Sequence, residues 1–501
     1  MKPQTASGLF QKILIANRGE IACRIIRTCQ NLGIPTVAVY SEADQDALHV
    51  RLADDAFHIG KATPEDSYLN HERILETAIR CQADAIHPGY GFLAENDVFA
   101  EACLSKGIHF IGPRPESIRE MGSKSRAKQL MQEAGVPVVP GYHGDKQDFK
   151  ILRNEAEKIG FPLLIKPVAG GGGRGMRVVR QLNELEEALT LSRSEAKNAF
   201  GDDNVLLERF IEGPRHVEFQ VFGDQHGNFV HLHERECSIQ RRHQKILEES
   251  PSPFLDETLR KQMAEASLKA ANAVQYLGAG TVEFIVGEDR SFYFIEMNTR
   301  LQVEHPVTEM RTGLDLVEWQ IRVASGEKLP LDQDQIRPKG HSIEVRVCAE
   351  NPERGFLPSS GLLELYDFPE DPSASGSSLI RLDSGFEQKD PVGIHYDSML
   401  AKLIVHDEDR KKALETIQHA LKHTAIIGPE TNLGFLQKLV SHPQFLEGKA
   451  DTLFIDACLP ELLQNEETTP EWIYWTCAID YLQSEQESAQ QKAANSSNPH
   501  S

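Results

Sequence analysis

The sequence predicts a multidomain protein of mixed α/β and α+β class. It comprises an N-terminal doubly wound parallel-sheet domain, a lid domain, and a C-terminal domain on antiparallel sheet. Three observations carry this prediction. Short apolar runs alternate with helix-periodic stretches near the start, as buried parallel strands and their covering helices do. A glycine-rich loop then sits between two strands at Gly170–Gly175. Beyond Phe210 the strands lengthen and alternate apolar with polar, as in His216-Val-Glu-Phe-Gln-Val-Phe222, the mark of antiparallel sheet.

Taken in order, Lys12–Ala16 and Thr36–Tyr40 read as parallel strands flanking a helix over Glu20–Leu32, which Gly33 stops. Further strands fall near Ala83–Ile86 and Ile108–Ile111. A lid is expected at about 138–210, where Pro162–Lys166 and Arg177–Val179 bracket the glycine loop. The expected partition is 1–120, 121–320 and 321–456, with a tail over 457–501 that is helical around Trp472 and Trp475 and then disordered.

At 501 residues the chain exceeds one compact core. A net charge of −22, from 53 basic and 75 acidic residues, argues against nucleic acid or an anionic membrane as the main partner. The start lacks a signal-peptide core and no apolar run is long enough for a bilayer span. Eight scattered cysteines without metal-ligand spacing fit reduced thiols in a cytoplasm.

Four motifs carry chemistry. In Ala169-Gly-Gly-Gly-Gly-Arg-Gly-Met176, backbone amides can approach phosphate oxygens closely, and Lys166 stands just before them; alone, the loop is also compatible with a hairpin tip. Thr281–Val286 and Ser291–Glu296 form a hairpin around Gly287-Glu-Asp-Arg290. A turn centred between Asp289 and Arg290 sets Glu283 opposite Glu296 and Ile285 opposite Phe294. Facing carboxylates repel, and Mg²⁺ bound by both, with Asn298 beside them, removes that repulsion; independent solvation is the alternative. Arg300, Gln302 and Glu304 alternate, so an extended chain would project them together. Arg300 offers a planar fork for bicarbonate and Glu304 a general base, against the alternative of a salt-bridged surface strand. Glu236–Lys245 crowds basic residues for phosphate or substrate, or forms a solvated charge run.

Asn17-Arg-Gly-Glu-Ile-Ala22, His87-Pro-Gly-Tyr-Gly-Phe92, Met121-Gly-Ser-Lys124, the glycine loop, Gln240–Lys245 and Phe294–Pro306 together resemble the biotin carboxylase family of ATP-grasp ligases, in order from Lys12 to about Asp456. The resemblance implies ATP-dependent carboxylation of biotin by bicarbonate through carboxyphosphate, with Mg²⁺ or Mn²⁺. By the same resemblance Lys124, Lys166, Gly171, Gly172, Gly173, Glu208, His216, Gln240 and His243 contact ATP, and Glu283, Glu296 and Asn298 hold the metal. Arg300, Gln302, Val303 and Glu304 hold bicarbonate, Lys245 lies near phosphates and bicarbonate, and Arg346 and Tyr90 serve biotin. Arg209 departs from the Glu-Lys-Tyr common in the family. The absence of Met-Lys-Met and of a carboxyltransferase region implies a separate biotin carboxyl carrier protein and carboxyltransferase subunit. A homodimer and an acetyl-CoA carboxylase setting in fatty acid biosynthesis are expected, with pyruvate, propionyl-CoA and methylcrotonyl-CoA systems open. A different ATP-grasp carboxylate–amine ligase and a scaffold without turnover are the competing readings.

Overall fold

In the computed structural model, β1 (Ile13–Ile15), β2 (Thr36–Ser41), β3 (Asp55–Gly60), β4 (Ala85–His87) and β5 (His109–Phe110) form a parallel sheet ordered β3-β2-β1-β4-β5. Alternation along β1 feeds two cores. Ile13 and Ile15 pack with α1 (Gly19–Leu32), while Leu14 and Ala16 join Ile74, Ala78 and Phe99 on the other side. Both faces are therefore covered, as the near-continuous apolar strands predict. Gly33 closes α1 at φ 71°, a left-handed cap that glycine adopts without steric cost. Strand β3, with exposed and half-buried residues along most of its length, lacks the apolar run that would announce it.

The structure describes residues 8–144, 146–168, 175–242, 244–369 and 379–464, with isolated positions between 475 and 486. Gly171, Gly172, Gly173, His243 and Trp472 lie outside the described residues. The larger of two units spans Met1–Ala457 and the smaller Cys458–Ser501.

A four-stranded sheet, β6 (Gly141–Tyr142), β7 (Leu163–Pro167), β8 (Arg177–Val179) and β9 (Val205–Arg209), runs in the order β6-β9-β7-β8. Its own small core joins Leu163, Ile165 and Leu207 to Leu152 and Leu189 of two helices. The largest sheet is antiparallel and eight-stranded. It combines β10 (Arg215–Gly223), β11 (Phe229–Arg241), β12 (Gln244–Ser250), β13 (Gly278–Val286) and β14 (Phe292–Asn298) with β15 (His341–Cys348) and two later strands. Between these come β16 (Glu350–Asn351), β17 (Leu357–Pro358), β18 (Gly361–Leu362) and β19 (Leu365–Asp367). They form two-stranded ribbons with one another, with β21 (Pro391–Val392) or with β23 (Ala425–Ile427). The two late strands of the large sheet are β20 (Leu379–Ser384) and β22 (Met399–Asp407), giving the order β14-β13-β10-β11-β12-β15-β22-β20.

The buried face of this sheet carries charge across its width. Glu296 opposes Glu283, which opposes Glu218, which opposes Arg235; further along, Arg346 opposes Lys402, which opposes Asp383. Gly385, just past β20, lets this edge approach the start of α1, since a Cβ there would lie 2.5 Å from the Glu20 backbone nitrogen.

Candidate functional site

The hairpin pairs Glu283 with Glu296 as the sequence predicts. The expected Ile285–Phe294 pair does not form: the register shifts after Glu283, so Phe284 opposes Phe294 and Ile285 opposes Tyr293. One extra residue, Ile295, is accommodated as a bulge. The expectation of an extended row from Asn298 to Glu304 also fails. Strand β14 ends at Asn298, and Glu304 caps a helix over His305–Thr312, with Pro306 in its first turn. The side chains still converge, because the turn curls back over the sheet rather than running along it.

Glu283 is the hub. Its carboxylate accepts from His216 Nε2 at 2.8 Å, Lys245 Nζ at 3.1 Å, Asn298 Nδ2 at 2.8 Å and Gln302 Nε2 at 2.9 Å. Burial alone would raise its pKa, but Lys245 and His216 hold the carboxyl far below the usual range. Burial would depress His216; Glu283 outweighs it and raises the imidazole above its ordinary value. Glu296 goes the other way. Burial and repulsion from Glu283 push it up, against the attraction of Lys124 at the start of a helix over Lys124–Glu133.

Two facing carboxylates, one raised by the other, with an amide alongside, fit a divalent cation, whose charge would remove the repulsion. His216, Glu218 and Glu283 also bring ligand atoms within 4.8 Å of one another.

Glu304 is 1% exposed and meets two cations: Lys245 Nζ at 2.5 Å and Arg346 Nη2 at 3.0 Å. Its burial is overcome by Lys245, Arg346 and Arg235, so the carboxyl sits well below the usual range and stays ionised. Arg346 also binds Glu248 through Nε at 2.9 Å, and Lys245 also binds Glu218, whose other oxygen takes Arg235 Nε at 2.6 Å. Arg300 lies across the turn, donating to Glu95 at 2.9 Å, Gln302 at 2.6 Å and Asn298 at 3.1 Å. Arg300, Lys245, Arg346, Val303 and Tyr90 line one cavity of about 620 Å³ between the N-terminal sheet and the later strands. Tyr90 enters it with its hydroxyl donated to Glu20 at 2.5 Å.

The lid strands hold a second cluster. Glu208 on β9 accepts from Lys166 on β7 and from Lys128, and these lysines overcome its burial to lower its pKa to about 2. Gln240 lies opposite Lys245 at the β11–β12 turn.

Sequence reasoning missed Glu218, Arg235, Glu248, Lys128, Glu95, Glu20 and Lys402. Glu218 had a local signal, two residues after His216 on an alternating strand, and Glu20 another, inside the Asn17–Ala22 motif. Cys23, Cys29, Cys81, Cys103, Cys237 and Cys348 are free thiols, and among the described residues no helix is long and apolar enough to cross a membrane.

Residues 9–118 match the biotin carboxylase N-terminal domain family, 123–332 the ATP-binding domain of the carbamoyl-phosphate synthase L chain, and 344–457 the biotin carboxylase C-terminal domain. The chain is 51% identical over 446 residues to a Nostoc biotin carboxylase, covering 89% of itself and 98% of that protein. It is 54% identical over 444 residues to the Dictyostelium discoideum mitochondrial methylcrotonoyl-CoA carboxylase subunit alpha, covering 89% of itself but 63% of that subunit's length. Among solved structures it is 47% identical, at a TM-score of 0.81, to the biotin carboxylase domain dimer of Hydrogenobacter thermophilus 2-oxoglutarate carboxylase, in complex with MgADP, ADP and bicarbonate; the match covers 92% of this chain and 100% of that one. With all three family segments in order and 51% identity over 446 residues to a biotin carboxylase matched over nearly its full length, the chain belongs to the biotin carboxylase family of ATP-dependent ligases.

Proposed function

We propose that the chain carboxylates biotin on a carrier protein, using bicarbonate and ATP, as the first half-reaction of a biotin-dependent carboxylase. The observation that carries this is the convergence of Lys245 and Arg346 on a buried, ionised Glu304, one turn from Arg300 and from the facing Glu283 and Glu296. An amine ligase needs the nucleotide and metal sites but gives the Arg300, Gln302 and Glu304 cluster no task.

Arg300 and Gln302 orient bicarbonate while Glu304 takes its proton, and the bicarbonate oxygen attacks the γ-phosphorus of ATP as ADP leaves. The carboxyphosphate so formed breaks its C–O bond to give CO₂ and phosphate. Phosphate takes the ureido N–H proton of biotin and the nitrogen attacks CO₂. Arg346 faces the enolate-like charge that develops on the ureido oxygen, and Tyr90 borders biotin. A divalent cation held by Glu283, Glu296 and Asn298 would supply charge neutralisation to the transferring phosphate. Lys124, Lys166, Glu208, His216, Gln240, His243 and the glycines Gly171, Gly172 and Gly173 serve ATP, with 138–210 as the lid of a 121–320 ATP-grasp region between 1–120 and 321–456.

For the final acceptor, relatives named methylcrotonoyl-CoA carboxylase subunits favour methylcrotonoyl-CoA on a partner carboxyltransferase over acetyl-CoA, and they lend no support to fatty acid biosynthesis. The chain spans about two thirds or less of those subunits' length. We take the protein to work as a homodimer, and free cysteines suit the reducing cytoplasm or mitochondrial matrix alike. The test is ADP release that requires bicarbonate and rises with free biotin. Turnover that needs an amine instead, or none, refutes the reading. Label from bicarbonate appearing in acetyl-CoA but not in methylcrotonoyl-CoA, in the reconstituted complex, refutes the choice of acceptor.

A further inference from the structure

We propose that Lys402 is a positioning residue that ties the peptide between Val303 and Glu304 to helix α1 of the N-terminal domain through Glu20. The inference rests on the bicarbonate-binding reading of this turn.

Lys402 is completely buried on β22. Its Nζ donates to the Val303 carbonyl oxygen at 2.8 Å and forms an ion pair with Glu20 Oε1 at 3.1 Å. Asp383 Oδ2 is farther, at 3.8 Å, and that carboxylate is already engaged by both ends of the Arg381 fork at 2.9 and 2.7 Å. Glu344, buried on the same sheet face with neither carboxyl oxygen hydrogen-bonded, is another acidic neighbour that bears on Lys402 electrostatically. Burying an ammonium costs several kcal/mol unless paired, and an apolar side chain would fill β22 without that cost. Cross-strand packing alone therefore does not account for a lysine here.

What a lysine adds is a donor on the turn. The Val303 carbonyl belongs to the peptide that carries Glu304, and Arg346, directly opposite Lys402 in the sheet, holds the Glu304 side chain. Adjacent cations thus grip Glu304 by backbone and by side chain. Glu20 completes the tie, because its other oxygen accepts the Tyr90 hydroxyl. Tyr90, Glu20 and Val303 all border the cavity, so Lys402 joins its two walls from behind. A misplacement of the turn by about 1 Å would cost on the order of 100-fold in rate.

The test is Lys402→Met in the full chain. In bicarbonate-dependent ATP hydrolysis, KM for bicarbonate should rise at least about tenfold while KM for ATP stays within about twofold. The variant also leaves Glu20 and Asp383 without their buried cation, so stability falls. Lys402→Met with Glu20→Gln removes the unpaired charge, keeps an acceptor for Tyr90, and should recover much of the Tm. The bicarbonate defect should remain, since the donor to Val303 is still missing. A normal bicarbonate KM in either variant, or equal rises in both KM values, overturns the proposal. If neither folds, Glu20→Gln alone decides it: its bicarbonate KM must rise about threefold, and an unchanged value overturns the tie. Wild-type protein without bicarbonate-dependent hydrolysis refutes the functional reading itself, and the inference falls with it.

Discussion

Replacing Glu296 by Gln should stabilise the metal-free protein while abolishing its response to metal. Glu296 stands directly opposite Glu283 in the β13–β14 register. Charges about 5 Å apart, the usual spacing of directly opposed side chains, repel by about 3 kcal/mol in an effective dielectric constant of about 20. Lys124 and His216 offset part of that at Glu296, and solvent at this half-buried side chain screens more, leaving about 1 kcal/mol. In a protein of this size that corresponds to a Tm rise of about 1–2 °C. The pH dependence has a definite sign. The folded-state pKa of Glu296 is raised, so its ionisation weakens the metal-free protein as pH climbs from the ordinary carboxylate value through the raised one. Glu296→Gln lacks that decline. The assay is a thermal melt in chelator and again with Mn²⁺ and ADP. Wild type should gain stability on addition by mass action, and the variant should gain far less. A variant less stable than wild type in chelator, with an undiminished metal response, would refute the argument that this pair is a charge-repelled cation site.

Three further outcomes follow from the same geometry. Arg300→Ala should reduce bicarbonate-dependent ADP formation by on the order of 100-fold or more while calorimetry finds ATP affinity nearly unchanged; normal turnover would separate the bicarbonate role from this turn. Lys245→Met leaves Glu218, Glu283 and Glu304 without their shared cation and should cost about 3–5 kcal/mol in urea melts near neutral pH. Because the stranded carboxylates take up protons more readily than in the unfolded chain, the deficit should narrow as pH falls toward 5. Glu208→Gln probes the lid. Its carboxyl is lowered to about 2, so its contribution is complete above the ordinary carboxylate pKa and disappears as pH falls toward 2. Since the side chains of Lys128 and Lys166 are 24% and 34% exposed, solvent screening reduces the loss at neutral pH to about 1–2 kcal/mol. Amide exchange on β9 at pH 7 and pH 3 would measure it.

The parts of this site that could be read from the chain are those governed by local rules. A strand alternates with period two and a tight turn sets register, so Glu283 and Glu296 could be paired from the hairpin alone. The same count misplaced Ile285 and Phe294 because a bulge follows from packing rather than from any residue pattern at Ile295. Extending the alternation to Glu304 ignored a stop signal that was present: Pro306 suits the first turn of a helix, and a helix beginning at His305 cannot leave Glu304 in a strand. The expected side chains do come together, but on a curled turn, because a curled turn and an extended strand both gather alternate side chains.

The missed residues have a different cause. Lys402 sits in Leu400-Ala-Lys-Leu-Ile-Val405, where a lysine reads as the solvent-facing member of a strand. Only the pairing of β22 between β15 and β20 buries it, and its partners Val303 and Glu20 lie 99 and 382 positions earlier. Glu248 and Arg235 are likewise defined by strands that meet across the sheet. Motifs thus locate the groups proposed to meet substrate, whereas the cations and carboxylates that set their charge and placement come from the topology. That division explains why Glu304 could be proposed as a base from its neighbours in sequence, yet its depressed pKa depends on Lys245, Arg346 and Arg235 from three strands. If Glu304 is the base proposed above, its basicity is set by those three cations, a property of the assembled sheet and not of the motif.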